Sequence, residues 1–168
     1  MRSNALFTLA QYFPYLLNRA GARIAAAFTA ELAAFGVSLA AWRVLAALLD
    51  APASDMGAMK MGEIAHLTAI EVSTLTRIVD AMEVQGLVRR RRDPADARAV
   101  WVEASARGRA AARKIVPLAL RYERVALDGF TAGEEAQLKA LLVRVFANMD
   151  RLDAAGGESA RPRRARRG

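Results

Sequence analysis

Cysteine is absent from the 168 residues, and histidine occurs once, at His66. The first absence removes disulfides, thiolate metal sites and thiol-based redox sensing. The second leaves a histidine-built metal site without enough ligands in a single chain. Aromatic residues amount to 7%, and β-branched residues are sparse beside alanine, leucine and arginine, which favours helix over sheet. No uninterrupted apolar run approaches the ~18 residues of a membrane span, so no membrane partner is expected. The opening Met1 to Leu17 is faintly signal-like, but Gln11 breaks its apolar stretch and Asn18-Arg19 follow directly, so it reads as an amphipathic helix. There is no nucleophile–histidine–acid arrangement and no phosphate-cradling glycine loop; an enzyme is not expected, nor is a cofactor. The lack of disulfides fits a reducing compartment, and a cytoplasmic protein is expected.

What is present is a chain rich enough in hydrophobic residues, at 54% with 25% charged, to bury a core. Its length suits one compact domain, or a small domain with helical extensions. The formal net charge is +8, and half of that excess lies in the last stretch, residues 154–168, where Arg161, Arg163, Arg164, Arg166 and Arg167 stand among alanine and glycine. Such a composition buries nothing and reads as a disordered basic tail. It either attracts phosphate without reading sequence or is simply a solvated terminus.

Apolar residues recurring at helical steps, from Leu9 and Phe13 through Leu16, Leu17, Ile24 and Phe28, predict one long helix over 5–34. Pro14 either kinks it or marks its true start, and Gly36 ends it. Ser38 can cap a second helix to about Leu49, with Trp42, Leu45 and Leu48-Leu49 inward. Residues 50–58 read as a loop. A short helix at about 61–67, a turn, and a helix from 72 to 85 stopped by Gly86 follow; the last has Leu75, Ile78, Val79 and Met82 along one face. The period then changes. Leu87 to Arg92 and Val100 to Glu103 read as two strands joined by the turn residues Asp93-Pro94-Ala95-Asp96-Ala97. Ser105 opens a helix to about Asp128 with Pro117 inside it, and Thr131 with Glu134 forms a capping box for a last helix carrying Leu138, Leu141, Leu142, Val145, Met149 and Leu152.

Two helices joined by a short turn and followed by a hairpin make a winged helix-turn-helix. The second helix must bury one face and offer small polar and basic groups on the other, to enter a major groove about 12 Å wide. Ser73, Thr74, Thr76 and Arg77 stand near the start of the 72–85 helix, mostly off its apolar stripe. Hydroxyls can donate to phosphates or base edges, arginine can fork onto guanine, and the helix N-terminus favours a phosphate. Ser73 and Thr74 can equally cap or solvate the first turn. Arg89 to Arg92 alternate faces along a strand, which places about half of them, Arg90 included, to meet phosphates. Arg98 beside the tip can enter the minor groove, either oriented by Asp96 or merely bracing the wing with it.

The stretch from Met61 through Ser73-Thr74-Leu75-Thr76-Arg77-Ile78-Val79-Asp80 to Gly86-Leu87-Val88-Arg89-Arg90, then Arg92-Asp93-Pro94-Ala95-Asp96-Ala97-Arg98, closely resembles the MarR family of bacterial transcriptional regulators, as does Trp42-Arg43-Val44-Leu45 upstream. Ala97 departs from the family, which often has a second basic residue there. The resemblance implies a mainly α fold with a small β-hairpin: a winged helix-turn-helix DNA-binding domain over 37–104 and a helical dimerisation region from 1–36 and 105–153. It also implies a homodimer that reads a pseudo-palindromic duplex operator. The apolar stripes on the first and last helices, too rich for the small central module to cover, agree with pairing. Family members commonly bind small aromatic or anionic effectors, and the Tyr12 to Arg19 segment looks like members linked to aromatic-acid catabolism, some of which respond to acyl-CoA thioesters. On that resemblance Tyr15, Asn18, Trp42 and Arg43 line an effector site; alternatively Tyr15 and Trp42 are core and Arg43 is a structural ion pair. The expected function is a dimeric repressor released by an aromatic acid or its acyl-CoA thioester. The competing reading is a helical protein-interaction module without specific DNA binding.

Overall fold

The computed structural model describes residues 7–51, 57–93 and 100–159. Among the described residues nine elements follow one another: α1 Phe13–Leu32, α2 Leu39–Asp50, β1 Ala58–Lys60, α3 Met61–Thr68, α4 Val72–Val84, β2 Val88–Arg92, β3 Val100–Ala104, α5 Ala106–Ala126 and α6 Ala132–Ser159, with 3-10 turns at Leu9–Gln11 and Ala33–Phe35. The mainly helical winged fold expected from the sequence is what forms. Two compact units divide it, one ending at Ala126 and the other beginning at Leu127.

In the first unit Pro14 begins a helix and does not kink one. It occupies the first turn of α1, where its missing N–H has no partner to lose. The single helix predicted over 5–34 therefore starts at Phe13 and gives way at Ala33 to a 3-10 turn, which Gly36 closes at φ 64°. Ser38 caps α2, its hydroxyl accepting from the Ala41 N–H at 3.1 Å. Leu49, expected inward beside Leu48, is instead exposed at 38%, because one residue along a helix turns the side chain by about 100°. Between α3 and α4 the chain reverses at Ala69, a non-glycine residue held at φ 51°.

The sheet has three strands in the order β1-β3-β2, both pairings antiparallel. Two of its strands are the predicted hairpin; the third, β1, falls at the end of the stretch read as loop, and pairs Lys60 with Trp101. The turn residues 94–99, including Asp96, Ala97 and Arg98, lie outside the described residues.

One core holds this unit together. Phe28 and Leu32 of α1, Val44, Leu45 and Leu48 of α2, Ile64 of α3, Leu75, Val79 and Met82 of α4, Val88 and Val102 of the sheet, and Ala112 and Ile115 of α5 form a single buried cluster. The residue boundaries 36/37 and 104/105, drawn from the sequence, thus run through shared packing. Phe28 makes edge contacts with Trp42 and Tyr122, their ring centroids 5.9 and 5.6 Å away. The Glu31 carboxylate accepts from Tyr122 Oη at 2.8 Å and pairs with Arg121 at 2.5 Å, tying α1 to α5.

The second unit is α6, opened by the predicted capping box. Thr131 N–H donates to Glu134 Oε2 at 2.8 Å, and Glu134 N–H donates to Thr131 Oγ1 at 3.3 Å. This helix runs to Ser159, past residue 154 where the tail was expected to begin. Residues 160–168 lie outside the described residues. Among the described residues no single helix is long and apolar enough to cross a membrane.

Candidate nucleic-acid interface

α4 buries Leu75, Val79 and Met82 completely, and this fixes what it turns outward: Ser73, Thr74, Thr76, Arg77 and Asp80 are exposed. Ile78, expected with the buried set, is half-buried. Arg77 takes part in no ion pair among the described residues.

Neither Ser73 nor Thr74 caps the helix. Glu71 does, and the sequence reading passed over it. Its Oε2 accepts from the Ser73 N–H at 2.9 Å, from the Thr74 N–H at 3.1 Å and from the Ser73 hydroxyl. The Ser73 hydroxyl bond, then the two backbone N–H groups, hold the Glu71 carboxyl below the usual glutamate range. The N-terminus expected to favour a phosphate is thus already closed by a carboxylate of the chain itself. The Thr76 hydroxyl donates to the Val72 carbonyl at 2.9 Å, which leaves its oxygen lone pairs and methyl group facing out.

The wing presents a different set of arginines from the one expected. Strand alternation puts Arg89 and Arg91 on one face with Trp101 and Glu103, their cross-strand partners. Lys60 and Arg91 flank the Trp101 ring, at 5.2 and 6.0 Å from its centroid, and the indole N–H donates to the Asp93 carboxylate at 2.9 Å. Arg90 points the other way. Its guanidinium is committed to Asp80, Glu83 and the Thr76 carbonyl on α4. The expectation that Arg90 meets phosphate is corrected on this ground: the fork is filled by groups of the neighbouring helix. Arg89, Arg91 and Arg92 of β2 and Lys60 of β1 are the exposed cations of the described strands.

Away from this surface, two open clefts flank α2. One of about 560 Å³ is lined by Trp42, Arg43, Ala46, Ala47 and Asp50 with Leu67, Thr68 and Ala69; the other, about 300 Å³, shares Trp42 and continues to Val116, Ala119 and Leu120. Trp42 and Arg43 thus line one cleft, whereas Tyr15 and Asn18, in the first turns of α1, are not among the lining residues of either cleft. Trp42 is half-buried, and Arg43 is exposed with no ion pair among the described residues. His66 is an exposed residue of α3.

The sequence pattern of the MarR family matches residues 35–99. Beyond that span, a crystal structure of a MarR-family transcriptional regulator from Silicibacter pomeroyi is 31% identical, superposes with a TM-score of 0.74, and aligns over 88% of this chain and 96% of that one. The chain belongs to the MarR family. It is a winged helix-turn-helix, DNA-binding transcriptional regulator. Other MarR-like proteins are similar at lower identity. The structure describing how 6-hydroxynicotinic acid regulates DNA binding by Bordetella bronchiseptica BpsR is 27% identical, with a TM-score of 0.71 over 83% of this chain and 96% of that one. The transcriptional repressor NicR of Pseudomonas putida is 28% identical over 92 residues, 55% of this chain; the match spans somewhat over half, 58%, of that repressor's length.

Proposed function

We propose that the protein is a homodimeric repressor that docks α4 of each copy in successive major grooves of a pseudo-palindromic operator. It leaves the operator when a small aromatic acid or its coenzyme A thioester binds beside α2. It acts in the cytoplasm, where the chromosome lies. The observation that carries the reading is the outward face of α4, where Thr74, Thr76 and Arg77, which has no ion pair among the described residues, stand together beside the wing arginines. Ser73 contributes to that face through a hydroxyl already engaged by Glu71. Arg98, proposed from the sequence for the same role, lies outside the described residues.

Pairing is supported by the exposed apolar residues Leu16, Leu17 and Ile24 on α1 and Met149 and Leu152 on α6, which a monomer would leave in water. The effector half rests on the Trp42–Arg43 cleft, whose volume suits a small ligand. An unpaired guanidinium there can take a carboxylate in a bidentate fork while the indole packs against a ring. The likeness to BpsR, whose DNA binding responds to an aromatic acid, and to the repressor NicR favours the same chemistry here. Tyr15 and Asn18 join the site only if a second copy brings α1 to it.

The test begins with duplex selection from a random library. A paired half-site motif should emerge, and adding aromatic acids or their thioesters to the complex should release it. Arg77→Ala should cost roughly 1–3 kcal/mol on the selected duplex and far less on random DNA. No preference for any duplex would end this reading and favour the protein-interaction module.

A further inference from the structure

Arg90 occupies an unusual place for a wing cation. Its backbone N–H donates to Glu83 Oε1 at 3.1 Å, and its side chain donates to Glu83 Oε2 at 3.2 Å, to the Thr76 carbonyl at 3.1 Å and to the Asp80 carboxylate. Positions 76, 80 and 83 follow one another at steps of four and three, so a single strand residue grips one face of α4 along nearly two turns. The guanidinium is a rigid planar fork, and bonds to two carboxylates and a carbonyl at once fix its plane as well as its position.

The second consequence concerns Arg77. Asp80 lies three residues beyond it on the same helix, the spacing at which an aspartate pairs with an arginine. Such a pair would draw the guanidinium of Arg77 back along the helix. In the structure Asp80 is instead bonded to Arg90, and Arg77 has no ion pair among the described residues. The Arg90 side chain is only 25% exposed, whereas Asp80 and Glu83 are 56% and 42% exposed, so the cation is the inner member of the cluster and its carboxylates are the outer ones.

We propose that Arg90, with Asp80 and Glu83, is the positioning device of the DNA-reading surface: it locks the wing strand to α4 and holds Asp80 away from Arg77, leaving that guanidinium free for a base edge. The proposal rests on the reading of α4 as the helix that enters the groove. It makes Arg90 indifferent to phosphate and essential to discrimination, the reverse of what a run of four strand arginines suggests.

Two substitutions in the full chain test it, Asp80→Asn and Arg90→Met, with affinities measured on the selected duplex and on a random duplex across a salt series. Simple charge arithmetic says that Asp80→Asn, which removes a negative charge from a DNA-facing helix, strengthens binding to both duplexes alike. The clamp says that the ratio of specific to random affinity falls about tenfold, equivalent to about 1.4 kcal/mol. Arg90→Met should lower that ratio similarly and leave the salt slope on random DNA unchanged, whereas loss of a phosphate contact would reduce that slope by about 1. In an Arg77→Ala background Arg90→Met should cost less further discrimination than in the wild type, since part of its effect acts through Arg77, whereas Asp80→Asn, which leaves no carboxylate to draw Arg77 back, acts only through the loosened wing strand. Should Arg90→Met not fold, Asp80→Asn, at an exposed position, decides alone. An unchanged ratio in Asp80→Asn overturns the proposal while the wild type still discriminates. Equal loss on both duplexes with a reduced slope in Arg90→Met overturns it as well. A wild type with no preference removes the DNA-reading premise, and the proposal with it.

Discussion

Glu71 holds the first turn of α4 through one carboxylate oxygen, which gathers two backbone N–H groups and the Ser73 hydroxyl. A carboxyl whose value is lowered on folding adds stability that is complete above its unfolded value and is lost as pH falls through the folded one. The contribution is therefore full at neutral pH and fades in acid, below the usual glutamate range, and the Thr131-bonded Glu134 at the start of α6 behaves in the same sense. An NMR titration should give Glu71 a midpoint below that of an ordinary exposed glutamate, with the Ser73 and Thr74 amide signals moving alongside. Ser73→Ala, which removes the largest cause, should bring the midpoint up. A wild-type midpoint at the ordinary glutamate value would mean that the cap does not persist in solution. The same carboxylate explains why no hydroxyl cap was needed at Ser73 or Thr74, and why those residues remain on the outward side.

Among the elements, the N-terminus of α5 is fitted most tightly. Ser105 Oγ donates to the Gly86 carbonyl at 2.6 Å and accepts from the Gly108 N–H at 2.9 Å, while the Ser105 N–H donates to the Leu87 carbonyl at 3.0 Å. A Cβ on Gly108 would lie 1.9 Å from the Leu87 carbonyl oxygen, a backbone atom with nowhere to go. Gly108→Ala should therefore destabilise by about 1–3 kcal/mol or more, read as a lower urea midpoint. Gly62→Ala in α3, with nothing within 4 Å, should be neutral or mildly stabilising. Equal behaviour of the two would show that α5 does not dock on the turn between α4 and β2.

Legibility followed the range of the interaction. The stripe of α4, the Ser38 cap, the Thr131–Glu134 box and the hairpin are set by neighbours a few residues apart, and all were readable. β1 was not: its three residues carry no alternation and exist as a strand only because β3, more than forty residues later, supplies partners. Arg90 shows a subtler failure. Asp80 and Glu83, spaced for one helix face, were a signal that some cation would be drawn there, but periodicity alone cannot say that the cation comes from the following strand. Leu49 was misplaced by treating a Leu-Leu pair as one unit, although a helix separates such neighbours by over a quarter of a turn.

For the molecule as a whole, the proposed pairing rests on the exposed apolar residues of α1 and of α6. Leu17→Asp should shift the protein from dimer to monomer in sedimentation velocity at micromolar concentration and weaken operator binding. It should leave the fold of the DNA-reading unit intact, since Leu17 is an exposed position. A dimer unaffected by Leu17→Asp would place the pairing surface elsewhere.

The buried cluster runs without a break from Phe28 and Leu32 in α1, through Leu75, Val79 and Met82 in α4, to Ala112 and Ile115 in α5. An interior packed to that density does not shear by degrees. Within the first unit, α1, α4 and α5 are consequently one stiff beam with no joint between them. If the proposed effector lodges at the Trp42 wall, it cannot slacken α4 alone; it can only tilt the beam, and the far end sweeps further than the pivot. Against a groove about 12 Å wide, a small change of pitch between two such beams is enough to misalign their tips. On the proposed function, derepression then requires no melting of either copy, only a wrong distance between two intact ones.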